Sequence, residues 1–554
     1  MRRRIIKYTT LALAVVSIAI GGIFATRNDF GLGRNMEIMV NLMHALSTQF
    51  VDEVDADELM EAGAEGFTSM LDPYTVFIPE KDMPNFQAQT TGRYGGIGAM
   101  IRQKKDGVVI AEPYKGSPAN EAGLIIGDKI VSINGHDVSK STTSDVSKRL
   151  RGEPNTIVTV GVKRLLTGQV EEIKIRRQRI VLPSIDYVGW VSEGVGYIRH
   201  SDFTDKCYND MRAAILKLQS EGELKQLILD YRDNGGGFMQ SAIDILSLFV
   251  PKGTMVVEMR GRNAKTNSHK FFTQHEPLLP NTPIAVLING NSASAAEIVA
   301  GAIQDLDRGV LLGQRSFGKG LVQSTMPLGY NAYAKITTAK YYTPSGRCIQ
   351  AINYSQDGKA ELVADSLIKE FKTVRGRKVY DGGGIMPDKI WAPEYMSRYA
   401  ATLYVSGVID DFGDEYFKKN HANTIDVDTF TISDEDYATF AEMVATHDIN
   451  YKSDSRTALE KLQAALAKEK NNTLSESIAA IEKGLNDDTK SLLATYREDL
   501  ISTINDNIIL RYAHSEGVIR HSLHSDKLVE LAIETLLNSE EYKRIVTSQD
   551  TQRK

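Results

Sequence analysis

A chain of 554 residues is long enough for about three or four globular domains, and 42% hydrophobic with 25% charged residues is an ordinary globular composition. The net charge of −6 is too mild to argue for nucleic acid or acidic substrates, so binding specificity has to be local. Two cysteines, Cys207 and Cys348, exclude a disulfide scaffold and a cysteine-cluster metal site, and the 10 histidines lack HExxH-type spacing, so neither metal nor cofactor is expected. The two thiols are expected to be free or buried rather than paired.

The first seven residues, MRRRIIK, carry four positive charges and precede an apolar stretch, Leu11 to Ala25. That pattern is a secretory signal or a short membrane anchor with its positive residues left inside. Ile23 stands at −3 from Ala25 and denies a clean small-x-small cleavage site, which favours an uncleaved anchor. Residues 1–27 are thus expected to export the chain to the periplasm, cleaved there or anchored in the inner membrane.

Residues 28–90 read as a small helical cap. Met36, Met39, Val40, Met43, Leu46 and Phe50 form one apolar stripe, and a second helix from Asp57 to Met70 is halted by Pro73. Residues 91–178 change character. Short strands (Val108–Ala111, Lys129–Ile133, Ile157–Lys163, Val170–Arg176) and two small helices (Pro118–Ala122, Thr143–Leu150) make a compact α+β module. Tyr94-Gly95-Gly96-Ile97-Gly98, the GSPA–AGL–GD run from Gly116 to Asp128, and Ile133-Asn134-Gly135 make this segment resemble a PDZ domain. In such a module, successive N–H groups of the glycine loop point at one carboxylate, and the next strand offers an edge to an added strand. Tyr94 to Gly98 are therefore the expected peptide-binding residues.

Residues 179–395 alternate strand and helix, which argues for a layered α/β core. Beyond Ala400, residues 396–554 are helical and polar, with apolar spacing over Ala458–Lys468, Leu474–Leu485, Lys490–Tyr512 and Leu528–Leu537. Assembly, substrate gating or a stabilising layer are the roles open to that extension.

The chemistry concentrates between Pro283 and Gln323. The apolar run Ile284–Ile288 reads as a buried strand ended by Asn289-Gly290-Asn291, and Ser294 then opens a helix. A serine there stands at the positive end of the helix dipole. A serine nucleophile needs a base, and the nearest histidine in sequence is His275. Lys319, between Gly318 and Gly320, can serve if a dry pocket disfavours its charged form. Gln323, on an extended chain, would share a face with Lys319 and orient its amine. Oxyanion donors are expected from the amide of Ala295 and from the glycine loop Asn234–Gly237, with Gly236 preferred and Gly237 next. Gly313 to Lys319 also matches the start of a P-loop. Gly320 stands where that motif needs Ser or Thr, and Pro327 interrupts what should be a helix.

The order of PDZ module, DxRxNxGG loop, NxxSASAAEI serine and FGKGxVQ lysine resembles the C-terminal processing peptidases, or tail-specific proteases. Residues Thr91 to Trp391 fit, including Tyr341-Tyr342-Thr343-Pro344-Ser345-Gly346 and Gly383-Gly384-Ile385-Met386-Pro387-Asp388. In that family the nucleophile lies 25 residues before the lysine, which selects Ser294 over Ser292 and agrees with a glutamine at 323. The resemblance implies a crotonase-like α/β peptidase core with an inserted α+β PDZ domain between helical N- and C-terminal regions. Gly235 departs from the family, where many members carry proline, and the extension after Ala400 lies beyond the shared motifs.

The expected activity is that of a serine endopeptidase with a Ser/Lys dyad, cleaving exported proteins near free C-terminal tails that the PDZ domain captures. Its expected partners are those protein or peptide substrates and further copies of itself through the helical regions, not nucleic acid. The competing expectation is a non-catalytic PDZ-bearing scaffold of the cell envelope.

Overall fold

The computed structural model describes residues 27–83, 86, 92–354, 360–392, 395–471, 473–485 and 488–547. Residues 1–26, which carry nearly all of the expected export segment, lie outside them, and no helix among the described residues is long and apolar enough to cross a membrane. The chain divides into two compact units. The smaller comprises the described parts of Met1–Lys81, Gln323–Thr337 and Tyr354–Lys359; the larger comprises those of Asp82–Val322, Thr338–Asn353 and Ala360–Lys554.

In the smaller unit, helices Arg27–Gln49 and Ala56–Ser69 form as the spacing predicts, the second capped by Asp55, whose side chain accepts from the amides of Asp57 and Glu58. Met39, Met43 and Leu46 are half-buried, whereas Met36, Val40 and Phe50 of the same stripe are exposed. A strand absent from the sequence reading, Val76–Ile78, pairs antiparallel with Tyr333–Lys335. Its partner belongs to the hairpin formed by Leu321–Gly329 and Ala332–Tyr342. Tyr330 and Asn331 at the hairpin's tip both take positive φ, as a tight primed turn demands.

The described residues of the larger unit include a PDZ-like module, an α/β core and a helical core. In the PDZ-like module, strands Ala99–Lys104, Gly107–Pro113, Lys129–Ile133, Ile157–Lys163 and Val170–Arg176 pair in that spatial order around Val108, Ile110, Ile130, Val160 and Val162. The glycine-rich stretch corrects the expectation of a loop: Arg93–Gly96 is itself a strand, antiparallel to Gln178–Val181, and only Ile97 and Gly98 link it onward. Gly95 makes this possible, because a Cβ there would lie 2.1 Å from the Gly152 carbonyl oxygen.

The α/β core is built on one sheet whose strands run in the order Ile185–Ser192, Val195–His200, Gln226–Asp230, Ile284–Ile288, Val310–Gly313 and Lys389–Ile390. The first pair is antiparallel and the rest are parallel. Both faces are covered, which is why these strands read as continuous apolar runs. Leu227, Leu229, Val286 and Ile288 pack on helices Cys207–Glu221, Met239–Leu246 and Ala295–Asp305. Ile228, Ala285, Leu287 and Leu312 pack on Leu528, Val529, Ala532 and Leu536 of helix Lys527–Leu537. The end of the C-terminal extension is thus the second helical layer of this sheet. At ~1.5–3 kcal/mol per buried Leu, Ile or Val, that layer is a large share of the core's stability.

Between them, residues 398–522 form a third core around Tyr399, Leu403, Phe412, Phe440, Leu500 and Ile504. The single helix expected over Lys490–Tyr512 is two, Thr489–Thr495 and Arg497–Ser522, with a further break at His514, whose φ is 57°.

Candidate active site

Ser294 and Ser292 stand at one turn in different environments. Ser292 is buried; its hydroxyl donates to the Tyr231 carbonyl (2.8 Å) and accepts the Asn289 N–H (2.9 Å), so it holds the turn. Ser294 is half-exposed at the N-cap of helix Ala295–Asp305 with φ 56° and ψ −113°. A non-glycine residue so placed costs ~1–3 kcal/mol and persists only when its surroundings over-determine it. Here the Ser294 N–H is donated to Glu297 Oε2 (2.8 Å), and its carbonyl accepts from the Tyr341 hydroxyl (3.1 Å).

Glu297 is the residue that the sequence reading left without a role. It is fully buried at the third position of the serine helix, and three of its four donors come from the lysine loop. Oε1 accepts from Ser316 Oγ (2.6 Å) and Gly318 N (2.7 Å); Oε2 accepts from Ser294 N (2.8 Å) and Lys319 N (2.9 Å). Ser316 Oγ in turn accepts the Ile385 N–H (2.6 Å), so its own hydrogen goes to the carboxylate. Burial pushes the Glu297 pKa up and the four donors oppose that shift. With every lone-pair direction donated to, the carboxylate is the form this geometry accepts. Ser294-x-x-Glu297 has the spacing of a helix capping box, a signal that would have drawn attention to it.

The glycines beside Lys319 have separate reasons. Gly318 takes φ 86°, and a Cβ there would lie 2.4 Å from Ala351 Cβ; at Gly320 it would lie 2.9 Å from Gln350 N. Gly320 N donates to Gln350 Oε1 (2.7 Å) and Ala351 N to the Gly318 carbonyl (2.9 Å). The Lys319 backbone is therefore clamped on both sides.

The glycine loop closes on the same turn. A Cβ on Gly236 would lie 2.7 Å from Ser294 Cβ and 2.8 Å from Ala295 N, so only glycine fits there. Asp233 Oδ1 accepts from the side-chain amides of Asn289 and Asn291 (both 2.9 Å), and the Asn234 carbonyl accepts the Ala293 N–H (2.9 Å). The Gly236 N–H is donated to Asn234 Oδ1 (2.8 Å). Behind the loop, His200 is buried against the rings of Phe203 and Tyr231, and burial pushes its pKa down to about 3. The Asn234 amide donates to the His200 carbonyl (2.7 Å).

Ser294, Ala295, Lys319, Gly236 and Gly237 all belong to the larger unit, and Gln323 belongs to the smaller one. Gln323 is half-buried on strand Leu321–Gly329, extended as expected, with Nε2 donating to Thr337 Oγ1 (3.1 Å). Tyr94, Gly96, Ile97 and Gly98 line a cavity of about 260 Å³ in the PDZ-like module, with Arg151 stacked 4.9 Å over the Tyr94 ring. Both cysteines are free thiols.

A second charged centre lies on helix Val408–Asn420. Asp410, Asp411 and Asp414 of helix Val408–Asn420 bring their carboxylates within 4.8 Å of one another. Arg511, fully buried, pairs with Asp410 (2.8 Å) and Asp414 (2.7 Å). Lys104 of the PDZ-like module pairs with all three carboxylates and Arg102 with Asp410. Burial acts to raise the Asp410 pKa, but Arg511, Lys104 and Arg102 outweigh it and hold that carboxyl well below its usual range.

Three family models match separate stretches: peptidase family S41 over 194–359, a PDZ domain over 109–164, and "Probable PDZ-protease, C-terminal helical domain" over 399–536. A "Carboxy-terminal-processing protease" of Bartonella bacilliformis (strain ATCC 35685 / KC583 / Herrer 020/F12,63) is 34% identical over 386 residues, covering 69% of this chain and 88% of that one. The chain belongs to peptidase family S41. A "Probable CtpA-like serine protease" of Staphylococcus aureus (strain N315) is 31% identical over 358 residues, 63% of this chain and 70% of that one. Among solved structures, a photosystem II D1 C-terminal processing protease aligns at 24% identity over 65% of this chain and 93% of that one, with a TM-score of 0.34. The protein is thus a serine-type peptidase of the carboxy-terminal-processing kind, with a PDZ domain and a helical C-terminal domain. The S41 match contains the serine turn, the lysine loop and the glycine loop, whereas the PDZ match begins after Tyr94–Gly98. The region beyond Ala400, outside the motifs legible in the sequence, has a family model of its own.

Proposed function

We propose that this S41 peptidase is an endopeptidase in which Ser294 is the nucleophile and Lys319 the general base. The observation that carries the reading is the Glu297 carboxylate, which receives the backbone N–H groups of Ser294 and Lys319 together and so locks the two loops to one point. In the first step, neutral Lys319 takes the Ser294 hydroxyl proton as Oγ attacks the scissile carbonyl, and the protonated amine then supplies the leaving nitrogen. Gln323 lies four residues after Lys319, the position at which the family resemblance implies a residue that orients the amine. The oxyanion falls to the amides of Ala295, at the open first turn of its helix, and Gly237. Gly236, whose N–H is engaged by Asn234, supplies the close approach of the loop to Ser294.

The rest of the reading follows from the family and the N-terminal sequence. The core is crotonase-like and spans 179–395, the PDZ domain spans 91–178, and the substrates are exported proteins held by their C-terminal tails along Tyr94–Gly98. The enzyme works in the periplasm behind its N-terminal export segment and self-associates through its helical regions. Ser294→Ala is expected to abolish hydrolysis of a tail-bearing protein while tail-peptide binding persists. Lys319→Ala should be equally silent near neutral pH. Retained turnover in either purified variant would overturn the dyad.

A further inference from the structure

The glycine loop has an anchor outside the α/β core. Residues 231–234 leave the sheet after strand Gln226–Asp230 and form the seat of the serine turn. Ser292 Oγ donates to the Tyr231 carbonyl (2.8 Å), Asp233 N to Asn289 Oδ1 (3.0 Å) and Ala293 N to the Asn234 carbonyl (2.9 Å). Asp233 takes φ 62°, a conformation that a non-glycine residue holds only under external constraint. Arg232 sits in the middle of this seat.

Two carboxylates from different layers grip the Arg232 side chain. Asp230, fully buried at the end of its strand, accepts from Arg232 N (2.9 Å), Nε (3.0 and 2.9 Å to its two oxygens) and Nη2 (2.5 Å), and from the Tyr197 hydroxyl (2.6 Å). That contact spans two residues and ties the arginine to the strand it has just left. The second carboxylate is Asp526, whose Oδ2 lies 2.7 Å from Arg232 Nη2. Asp526 is the N-cap of helix Lys527–Leu537. Its Oδ1 accepts the amides of Leu528 (3.0 Å) and Val529 (3.2 Å), which leaves Oδ2 for the guanidinium. Leu528 and Val529 pack on the core sheet, so the docking of that helix sets where Asp526 stands. The Arg232 and Asp526 side chains are each 19% exposed, which withdraws the pair from most of the water and salt that would screen it.

We propose that Asp526 is a positioning residue of the peptidase, which fixes Arg232 and through it the loop that seats the serine turn. The inference rests on the reading of Ser294 as nucleophile beside its oxyanion donors. A guanidinium is planar with fixed donor directions, so carboxylates on two sides determine how it lies. With Asp230 alone it can swing about a single partner. The seat has no slack for such a swing, because a Cβ on Gly236 would already lie 2.7 Å from Ser294 Cβ. The helical C-terminal domain, which carries no reacting group, then enters catalysis through one carboxylate.

The test uses the full-length enzyme and a tail-bearing protein substrate. Asp526→Asn keeps an N-cap of equal quality and removes the charge that holds Arg232. It should lower kcat by about 10-fold, within what one charge-assisted hydrogen bond can bias, with KM within about twofold. Affinity for a peptide aldehyde, which forms a tetrahedral adduct with a serine nucleophile, should weaken by a similar factor, while tail-peptide binding is unchanged. Added to Arg232→Lys, which loses the fork, Asp526→Asn should cost less than it does alone. Leu536→Ala, at the other end of the same helix, should lower the denaturation midpoint and leave kcat of the folded enzyme as it was. Wild-type kcat in Asp526→Asn, an equal loss of kcat in Leu536→Ala, or full additivity with Arg232→Lys would overturn the clamp. Ser294→Ala in the same assay separates the failures. An inactive Ser294→Ala beside an unaffected Asp526→Asn sinks the clamp alone, and an active Ser294→Ala sinks the nucleophile with it.

Discussion

Two carboxylate centres hold this protein together by opposite means. At Glu297 one fully buried carboxylate is satisfied by three backbone N–H groups and a hydroxyl. At Asp410 and Asp414 the carboxylates are satisfied by a buried arginine and by cations of the PDZ domain. Neutral donors fixed in a backbone give direction: each must lie where its lone pair points, so Glu297 sets loop geometry. Ion pairs give attraction with looser angular demands and are screened wherever water and salt reach them. The first arrangement suits a turn that must hold Ser294 in a strained conformation. The second suits the attachment of the PDZ domain to the helical C-terminal domain, whose hold can be tuned.

The largest effect should separate the two directly. Glu297→Gln keeps the volume but replaces one oxygen by an NH₂, which cannot accept from the donors that oxygen served: Ser316 Oγ and Gly318 N at Oε1, or Ser294 N and Lys319 N at Oε2. Each stranded donor costs ~1–3 kcal/mol. We expect kcat/KM to fall by about 100-fold or more with little change in PDZ binding of a tail peptide; an active Glu297→Gln enzyme would show that the knot does not set the site. Next, Arg511→Met leaves Asp410 and Asp414 without their buried partner. Breaking such a pair costs ~3–5 kcal/mol. Denaturant unfolding should show the loss, with kcat of the remaining folded enzyme nearly unchanged.

Acid sharpens the contrast with different onsets. Asp410 has a folded pKa below its unfolded value, so its stabilising contribution is present above about pH 4 and is lost as the pH falls below that. His200, behind the glycine loop, has its pKa depressed to about 3 by burial. The unfolded chain therefore binds the extra proton first, and stability should begin to fall below about pH 6.5. Acid is expected to lower stability through His200 before it reaches the ionic centre, and His200→Phe should remove the earlier onset in an acid titration of unfolding. The smallest effect belongs to Arg102, whose side chain is 37% exposed. Arg102→Ala should change stability by less than about 1 kcal/mol, and by less still in high salt.

Local pattern went far along this chain. Ile284–Ile288, Lys129–Ile133, Thr143–Leu150 and Ile157–Lys163 occupy the positions their apolar spacing and turn residues announce. The helix expected over Lys490–Tyr512 broke at Tyr496 because the apolar spacing that reads as continuous belongs to two helices packing in one core. The glycine-rich run at Arg93–Gly96 read as a loop because glycine signals backbone freedom, and nothing local reveals that Gly152 lies against Gly95.

By itself, then, the sequence determined strands and helices such as Lys129–Ile133 and Thr143–Leu150, that Ser294 starts a helix after a buried strand, and that Lys319 sits between glycines. Those are properties of neighbouring residues: periodicity, turn chemistry and capping. Only the tertiary structure decided that Glu297 receives both loops, that Gln323 and Asp72 meet at the Thr337 hydroxyl, and that helix Lys527–Leu537 covers one face of the core sheet. A hydrogen-bond acceptor carries no mark of the donors it will meet from 22 or 265 residues away. An apolar helix face carries no mark of the sheet it will cover. Their partners are fixed when the chain closes, because that is when each buried polar group must find a donor or acceptor in place of water.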